Sequence, residues 1–533
     1  MAMFRPRRFL AAAAVAAALA APSVTQAATP GNALVMAWNI DAISTFDPAQ
    51  IGEVVTSELF NNTCDYIAAF DPRDEKKVVP GLAERWDVSP DGQTITFHLR
   101  DNLRFPSGEK ATAQDLAWSM QRVVKLGFGN AATLTEYGFT KANVEQMITA
   151  ADDRTLVMKL DKPYPTTLIL QAIAANRVGA LLDRKTIMAG EVNGDLGNKF
   201  LATRTACVGP YNLRQWNAGE TVVLEANPNY WDTAPKLRRI IIRHVAEAGT
   251  QRLLLEKGDI DIARNLAPQD LAALASNKDI KSTSAPKGTV YYISLNQKNP
   301  NLAKPEVREA LKWLVDYAAI GDTLIKNIGI IDQNFMPVGL LGASTDMPYK
   351  LDVDKAKALL AKAGLPNGFK VTIDMRTIQP VQGITESFQQ TAKRAGIDIE
   401  IIPGDGKQVL TKYRARTHDM YIGQWGADYW DPHTNTTFVQ NSDNSDEAKA
   451  KPLAWRNAWT APALEKLADA AVLERDTAKR KKMYEDMQAE FRKTSPFIML
   501  FQQTEVAAVR SNVEGFKLGP TFDTNYMFLV SKK

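Results

Sequence analysis

Val79-Pro80-Gly81-Leu82-Ala83-Glu84-Arg85-Trp86 opens the stretch that decides the fold, and Ser89-Pro90-Asp91-Gly92, Phe97-His98-Leu99-Arg100, Phe105-Pro106-Ser107-Gly108, Ala113-Gln114-Asp115 and Gln121-Arg122 complete it. Asp91-Gly92 is a turn signal. The following Thr94-Ile95-Thr96-Phe97-His98-Leu99 alternates polar and apolar residues, the pattern of a half-buried strand. Thr112 and Asp115 form a capping-box pair, in which each side chain satisfies a backbone N–H at a helix start. Leu116, Met120, Val123 and Val124 then recur at helical spacing. Turn, strand and capped helix in close succession describe a compact α/β unit whose marked residues serve structure first.

The reading extends outward in both directions. Strands are expected over 35–38, 156–160, 221–225, 237–244 and 291–295, with Asn227-Pro228-Asn229 as a turn. A helix begins near 57–60, and a short one over 251–257 ends at Gly258. A strongly amphipathic helix is expected over 305–320. Helices over 354–363 and 385–395, stopped by Gly364 and Gly396, alternate with strands over 369–375, 397–401 and 420–425. This βαβα rhythm predicts an α/β lobe. Helices over 462–475 and 477–493 and an extended segment over 498–509 close the chain.

Arg5, Arg7 and Arg8 precede an unbroken apolar run from Phe9 to Ala21, and Thr25-Gln26-Ala27 places small residues at a cleavage site. This is the three-part pattern of a secretory signal peptide, with cleavage near Ala27. The run is shorter than the roughly 20 residues a membrane span needs. Arg7-Arg8 suits general or twin-arginine export alike. The leader has no cysteine to carry a lipid, so a freely soluble periplasmic protein is expected, not a lipoprotein. The 533-residue chain has room for two to four domains at about 100–200 residues each. The three leader arginines supply most of the net charge of +4, so the mature chain has no basic excess for nucleic acid. Cys64 and Cys207 are the only cysteines, which in an oxidising compartment suits one disulfide.

Catalytic signatures are missing: G-x-S-x-G, H-E-x-x-H, the P-loop and C-x-x-C do not occur. Gly127-Phe128-Gly129-Asn130-Ala131-Ala132 lacks the strand–turn–helix setting of a dinucleotide fingerprint and reads as a loop. His98, His244, His418 and His433 are never at helical ligand spacing, so no metal site is expected. No cofactor and no catalytic residue is expected either.

The block over 79–122 resembles the signature of the family-5 solute-binding proteins, the dipeptide and oligopeptide receptors of ABC importers. Ser44-Thr45-Phe46-Asp47-Pro48-Ala49, Gly209-Pro210-Tyr211, Asn227-Pro228-Asn229-Tyr230-Trp231, Gly258-Asp259-Ile260-Asp261, Val307-Arg308-Glu309-Ala310-Leu311 and Ser495-Pro496-Phe497-Ile498 extend the resemblance over nearly the whole mature chain. Ala206-Cys207-Val208 before Gly209 departs from the family pattern, as does the missing leucine near Asn62–Cys64. Both departures involve cysteine, which supports pairing of Cys64 with Cys207. The resemblance implies an α/β, two-lobed periplasmic-binding-protein clamp with an extra subdomain on the first lobe. Its expected divisions are the signal peptide at 1–27, lobe I at 28–70, 195–290 and 504–533, the extra subdomain at 71–194, and lobe II at 291–503. Hinge crossings are expected near residues 290 and 503.

The function so implied is non-enzymatic: a monomer binds a short peptide and hands it to an inner-membrane ABC permease. The family also takes nickel complexes, haem, opines and other solutes, so a non-peptide amine is the alternative. Within Gly423-Gln424-Trp425-Gly426-Ala427-Asp428-Tyr429, Asp428 matches the aspartate that grips a ligand ammonium in peptide receptors. Trp425 and Tyr429 are expected as pocket walls. Arg376, at the end of a second-lobe strand, is expected to meet the ligand carboxylate.

Overall fold

The computed structural model describes residues 29–71, 74–448, 451–519, 521 and 524–533. The export segment expected over 1–27 lies outside the described residues. A single sheet runs through both lobes. Its strand order is Asp398–Gly404, Lys370–Arg376, Met420–Gly426, Ile280–Leu295, Phe497–Arg510, Ile262–Ala263, Ala33–Trp38, Arg239–His244, Thr221–Ala226 and Tyr211–Asn217, with Gly329–Ile331 attached to Phe497–Arg510.

Ile280–Leu295 and Phe497–Arg510 are the two long strands at the centre. Ile280–Pro286 pairs with Thr504–Arg510 on the first-lobe side, and Val290–Ser294 pairs with Phe497–Gln502 on the second-lobe side. Between them the register shifts at Pro286–Val290. In the second lobe this strand is buried on both faces. Tyr291, Ile293 and Leu295 enter one core with Leu311, Ile373 and Phe388, while Val290 and Tyr292 enter another with Phe438, Tyr484 and Phe491. The two-residue period of a strand distributes alternate side chains to the two layers. The first lobe has its own core, built on Leu34, Met36, Leu224, Ile240, Ile242 and Val509.

The signature block forms the extra subdomain. Strands Ala83–Val88, Thr94–Leu99, Thr155–Lys159 and Ile148–Ala150 make a four-stranded antiparallel sheet covered by helix Ala113–Leu126. The capping box forms as expected, with the Thr112 side chain accepting from the Asp115 backbone and Asp115 accepting from the Thr112 N–H. Arg122, at the end of the block, donates two bonds of 2.8 and 2.6 Å to Asp47 of the Phe46-Asp47-Pro48 segment, and both side chains are fully buried. These two motif residues complete one internal ion pair and do not face a cavity. Gly81 and Gly209 are required by close approach: a Cβ would lie 2.6 Å from the Tyr66 carbonyl at one and 2.1 Å from the Thr63 carbonyl at the other. Cys64 and Cys207 are bonded, with Cα atoms 5.3 Å apart.

One expected helix is divided. The amphipathic pattern over 305–320 folds as Pro305–Lys312, a break, and a new helix at Tyr317–Ala319. Asp316 starts the second piece by accepting from the Ala319 N–H at 3.0 Å. The apolar phase continues across the break, so periodicity alone does not reveal it.

Candidate functional site

Strand Met420–Gly426 enters the sheet beside the register shift, pairing Trp425 with Val290 and Gly426 with Thr289. The chain leaving it is held at successive points. Ala427 N–H donates to Gly288 O at 2.8 Å, and Asp428 N–H donates to Thr434 Oγ1 at 3.1 Å. Asp431 caps the 3₁₀ helix Pro432–Phe438 by accepting from His433 N–H at 2.9 Å. Arg480 clamps Asp431 with two bonds of 2.7 Å, in a pair with each side chain 5% exposed. From the extra subdomain, Asn176 Nδ2 donates to the Asp428 carbonyl at 3.1 Å. The backbone of Asp428 is therefore fixed from both sides of the cleft, while the residue itself is exposed.

Asp428, Trp425 and Tyr429 line one cavity of about 670 Å³ between the extra subdomain and the second lobe. This lies within the range of small-molecule sites, about 300–1,000 Å³. Trp425 is half-buried, and its indole N–H makes no hydrogen bond within the protein. Tyr429 touches the cavity, but its body belongs elsewhere. With Trp430 it is buried in the core of the extra subdomain, among Tyr137, Tyr164 and Leu170. It is as much a bolt between the two bodies as a pocket wall.

Arg376 does not join this group. It ends strand Lys370–Arg376 as expected, but its guanidinium lies against Gly406 and it is not among the cavity's lining residues. Among the described residues, the basic groups on the cavity are Lys451 and Arg456. Lys451 precedes and Arg456 ends the short helix Leu453–Arg456, which is too brief to show a period in the sequence.

Glu136, in the extra subdomain, faces the same cavity. The residue is open to solvent, and desolvation by the surrounding cleft walls, reinforced by the Asp428 carboxylate, pushes its pKa up to about 7. Burial holds His433 down at about 4, so its imidazole is neutral at pH 7. No group of three His, Cys, Asp or Glu able to hold a metal occurs among the described residues. Two carboxylates on one cavity can share a cation, or in a glycosidase divide acid and base roles.

The sequence profile described as bacterial extracellular solute-binding proteins, family 5 middle, matches residues 77–447. The chain belongs to the family-5 solute-binding proteins of ABC importers. It is 27% identical over 505 residues to the probable D,D-dipeptide-binding periplasmic protein DdpA of Escherichia coli, covering 94% of each chain. It is 25% identical over 463 residues to the dipeptide-binding protein of the same organism, covering 83% of this chain and 84% of the relative. Among solved structures, the DppA protein of Helicobacter pylori in complex with peptide STSA superposes with a TM-score of 0.79 at 24% identity, covering 94% of this chain and 98% of that one. The two-lobed clamp of this family is the fold found here. No helix among the described residues is long and apolar enough to cross a membrane.

Proposed function

We propose that this family-5 protein is the periplasmic binding component of an importer for short peptides, with Asp428 receiving the ligand's ammonium. The observation that carries the reading is the placement of Asp428. It stands beside the hinge strands, on a cavity of about 670 Å³ with Trp425 on its wall. An ammonium taken out of water costs several kcal/mol unless it is paired, and a carboxylate held by rigid backbone supplies that pairing. Lys451 and Arg456 take over from Arg376 as candidates for the ligand's carboxylate. The relatives named as dipeptide-binding support a peptide. A non-peptide solute is the second reading, because a solved neighbour is bound to agropinic acid and shares the fold.

In this reading the protein performs no chemistry and needs no cofactor. Ligand touching both lobes favours the closed state over the open one, and the permease reads the closed form. The chain is exported by the segment over 1–27, released without a lipid, acts as a monomer and has no nucleic-acid partner. The division into lobe I (28–70, 195–290, 504–533), extra subdomain (71–194) and lobe II (291–503) belongs to the same proposal.

The test is calorimetry of the mature protein with alanyl-alanine and trialanine. Truncating one partner of a buried charge pair costs about 2–5 kcal/mol, so Asp428→Asn should weaken binding by at least about 30-fold. N-acetylated peptides binding as tightly as the free amines would overturn the assignment.

A further inference from the structure

Of the five carboxylates that line the cavity, Glu136 and Asp428 interact with each other and come from different bodies. Glu136 follows the short helix Ala132–Thr135 in the extra subdomain, and Asp428 follows strand Met420–Gly426 in the second lobe. We infer that Glu136 and Asp428 hold the ligand's ammonium together, and that the site therefore selects a primary amine over a secondary or blocked one. This rests on the proposed amine-binding function and adds a second residue and a chemical rule to it.

A primary ammonium has three N–H donors. One carboxylate can satisfy one or two of them, whereas two carboxylates from opposite walls can satisfy all three. The walls offer acceptors beyond this pair. Asn441 is only 5% exposed and lines the same cavity, and its side-chain oxygen makes no hydrogen bond within the protein. Its amide nitrogen is occupied by Asn444 and by the Trp459 carbonyl. The amide is thus oriented by its nitrogen, and its buried oxygen is left without a partner inside the protein beside the cavity. The charge balance agrees: Asp443, Glu465 and Asp469 join the acid side, against Lys451 and Arg456. Desolvation by the cleft walls first, and the Asp428 carboxylate second, raise the Glu136 carboxyl. A cation placed between the two carboxylates relieves their repulsion. Because the two residues belong to different bodies, the same cation ties the extra subdomain to the second lobe and favours closure.

The test compares alanyl-alanine with N-methyl-alanyl-alanine by calorimetry on the mature protein. Wild type should bind the primary amine at least 10-fold more tightly than its N-methyl form. Glu136→Gln should weaken alanyl-alanine binding about 10-fold or more and bring the two ligands close together, with an unchanged urea midpoint. Glu136→Asp should recover part of the preference. If Glu136→Gln binds alanyl-alanine like wild type while Asp428→Asn does not bind it, the shared grip is wrong and the single-anchor function stands. If wild type binds neither dipeptide, both fall.

Discussion

Replacing Arg264 with methionine tests the energetics of the hinge most directly. Arg264 is fully buried beside the crossing strands and donates to both oxygens of Glu58, at 2.6 and 2.8 Å. It also bonds Glu505, whose second oxygen lies 2.9 Å from Lys287 Nζ. Two acids and two bases thus balance in a volume closed to water. Burial alone would raise Glu505, but Arg264 and Lys287 pull it down to about 2. Methionine keeps the volume and removes one cation, so Lys287 must serve both acids. Breaking a buried pair in this way costs about 3–5 kcal/mol, because a charge is left uncompensated. The Glu58 carboxyl, already raised by burial, then escapes by taking a proton. A carboxyl with a raised folded pKa loses stability as pH rises, so the cost should be larger at pH 8 than at pH 5.5. Urea unfolding followed by circular dichroism at both pH values measures it. Adding Glu58→Leu removes the stranded acid and should restore most of the loss. A cost under about 1 kcal/mol at both pH values, or no recovery in the double variant, would refute the reasoning.

Four further outcomes follow from the described contacts. Arg480→Met should lower stability by about 3–5 kcal/mol and also weaken peptide binding, because Asp431 secures the turn behind Asp428; Arg122→Met, at the Asp47 pair, should lower the urea midpoint without changing affinity. Opening the bond between Cys64 and Cys207, which closes a separation of 143 residues, should cost about 5 kcal/mol by loop entropy, read as the shift of the urea midpoint in Cys64→Ser/Cys207→Ser. His418 is 3% exposed and held by burial at about 4, below its ordinary value. Its contribution is complete above pH 6.5 and lost as pH falls from 6.5 to 4, by roughly 3 kcal/mol, so His418→Gln should flatten the acid limb of the stability curve.

The parts of the fold legible in the sequence were those set by local physics. The capping box at Thr112 and Asp115, the alternation at Thr94–Leu99 and the helix stop at Gly258 depend on near neighbours, and each formed. The strand Ile280–Leu295 was only half visible, because Pro286 and Gly288 interrupt its pattern at the point where the register shifts. Asp428 and Trp425 were legible as a motif on one strand and its loop. Glu136, Asn441, Lys451 and Arg456 were not. They reach the cavity from two stretches, one at 136 and one over 441–456, and only tertiary packing brings these to Asp428. Arg376 shows the reverse case: a correctly placed strand end says nothing about which way a guanidinium turns.

The unbroken sheet has a mechanical consequence. A receptor whose halves are joined by loose tethers can swing freely, but here the two halves share hydrogen-bonded ribbons on either side of a register shift between Pro286 and Val290. Bending at that shift would twist the ribbons on either side, so the angle through which the mouth gapes should be set by their torsion. Lengthening the strand by one residue at the shift should therefore change how widely the protein opens before it changes what it holds.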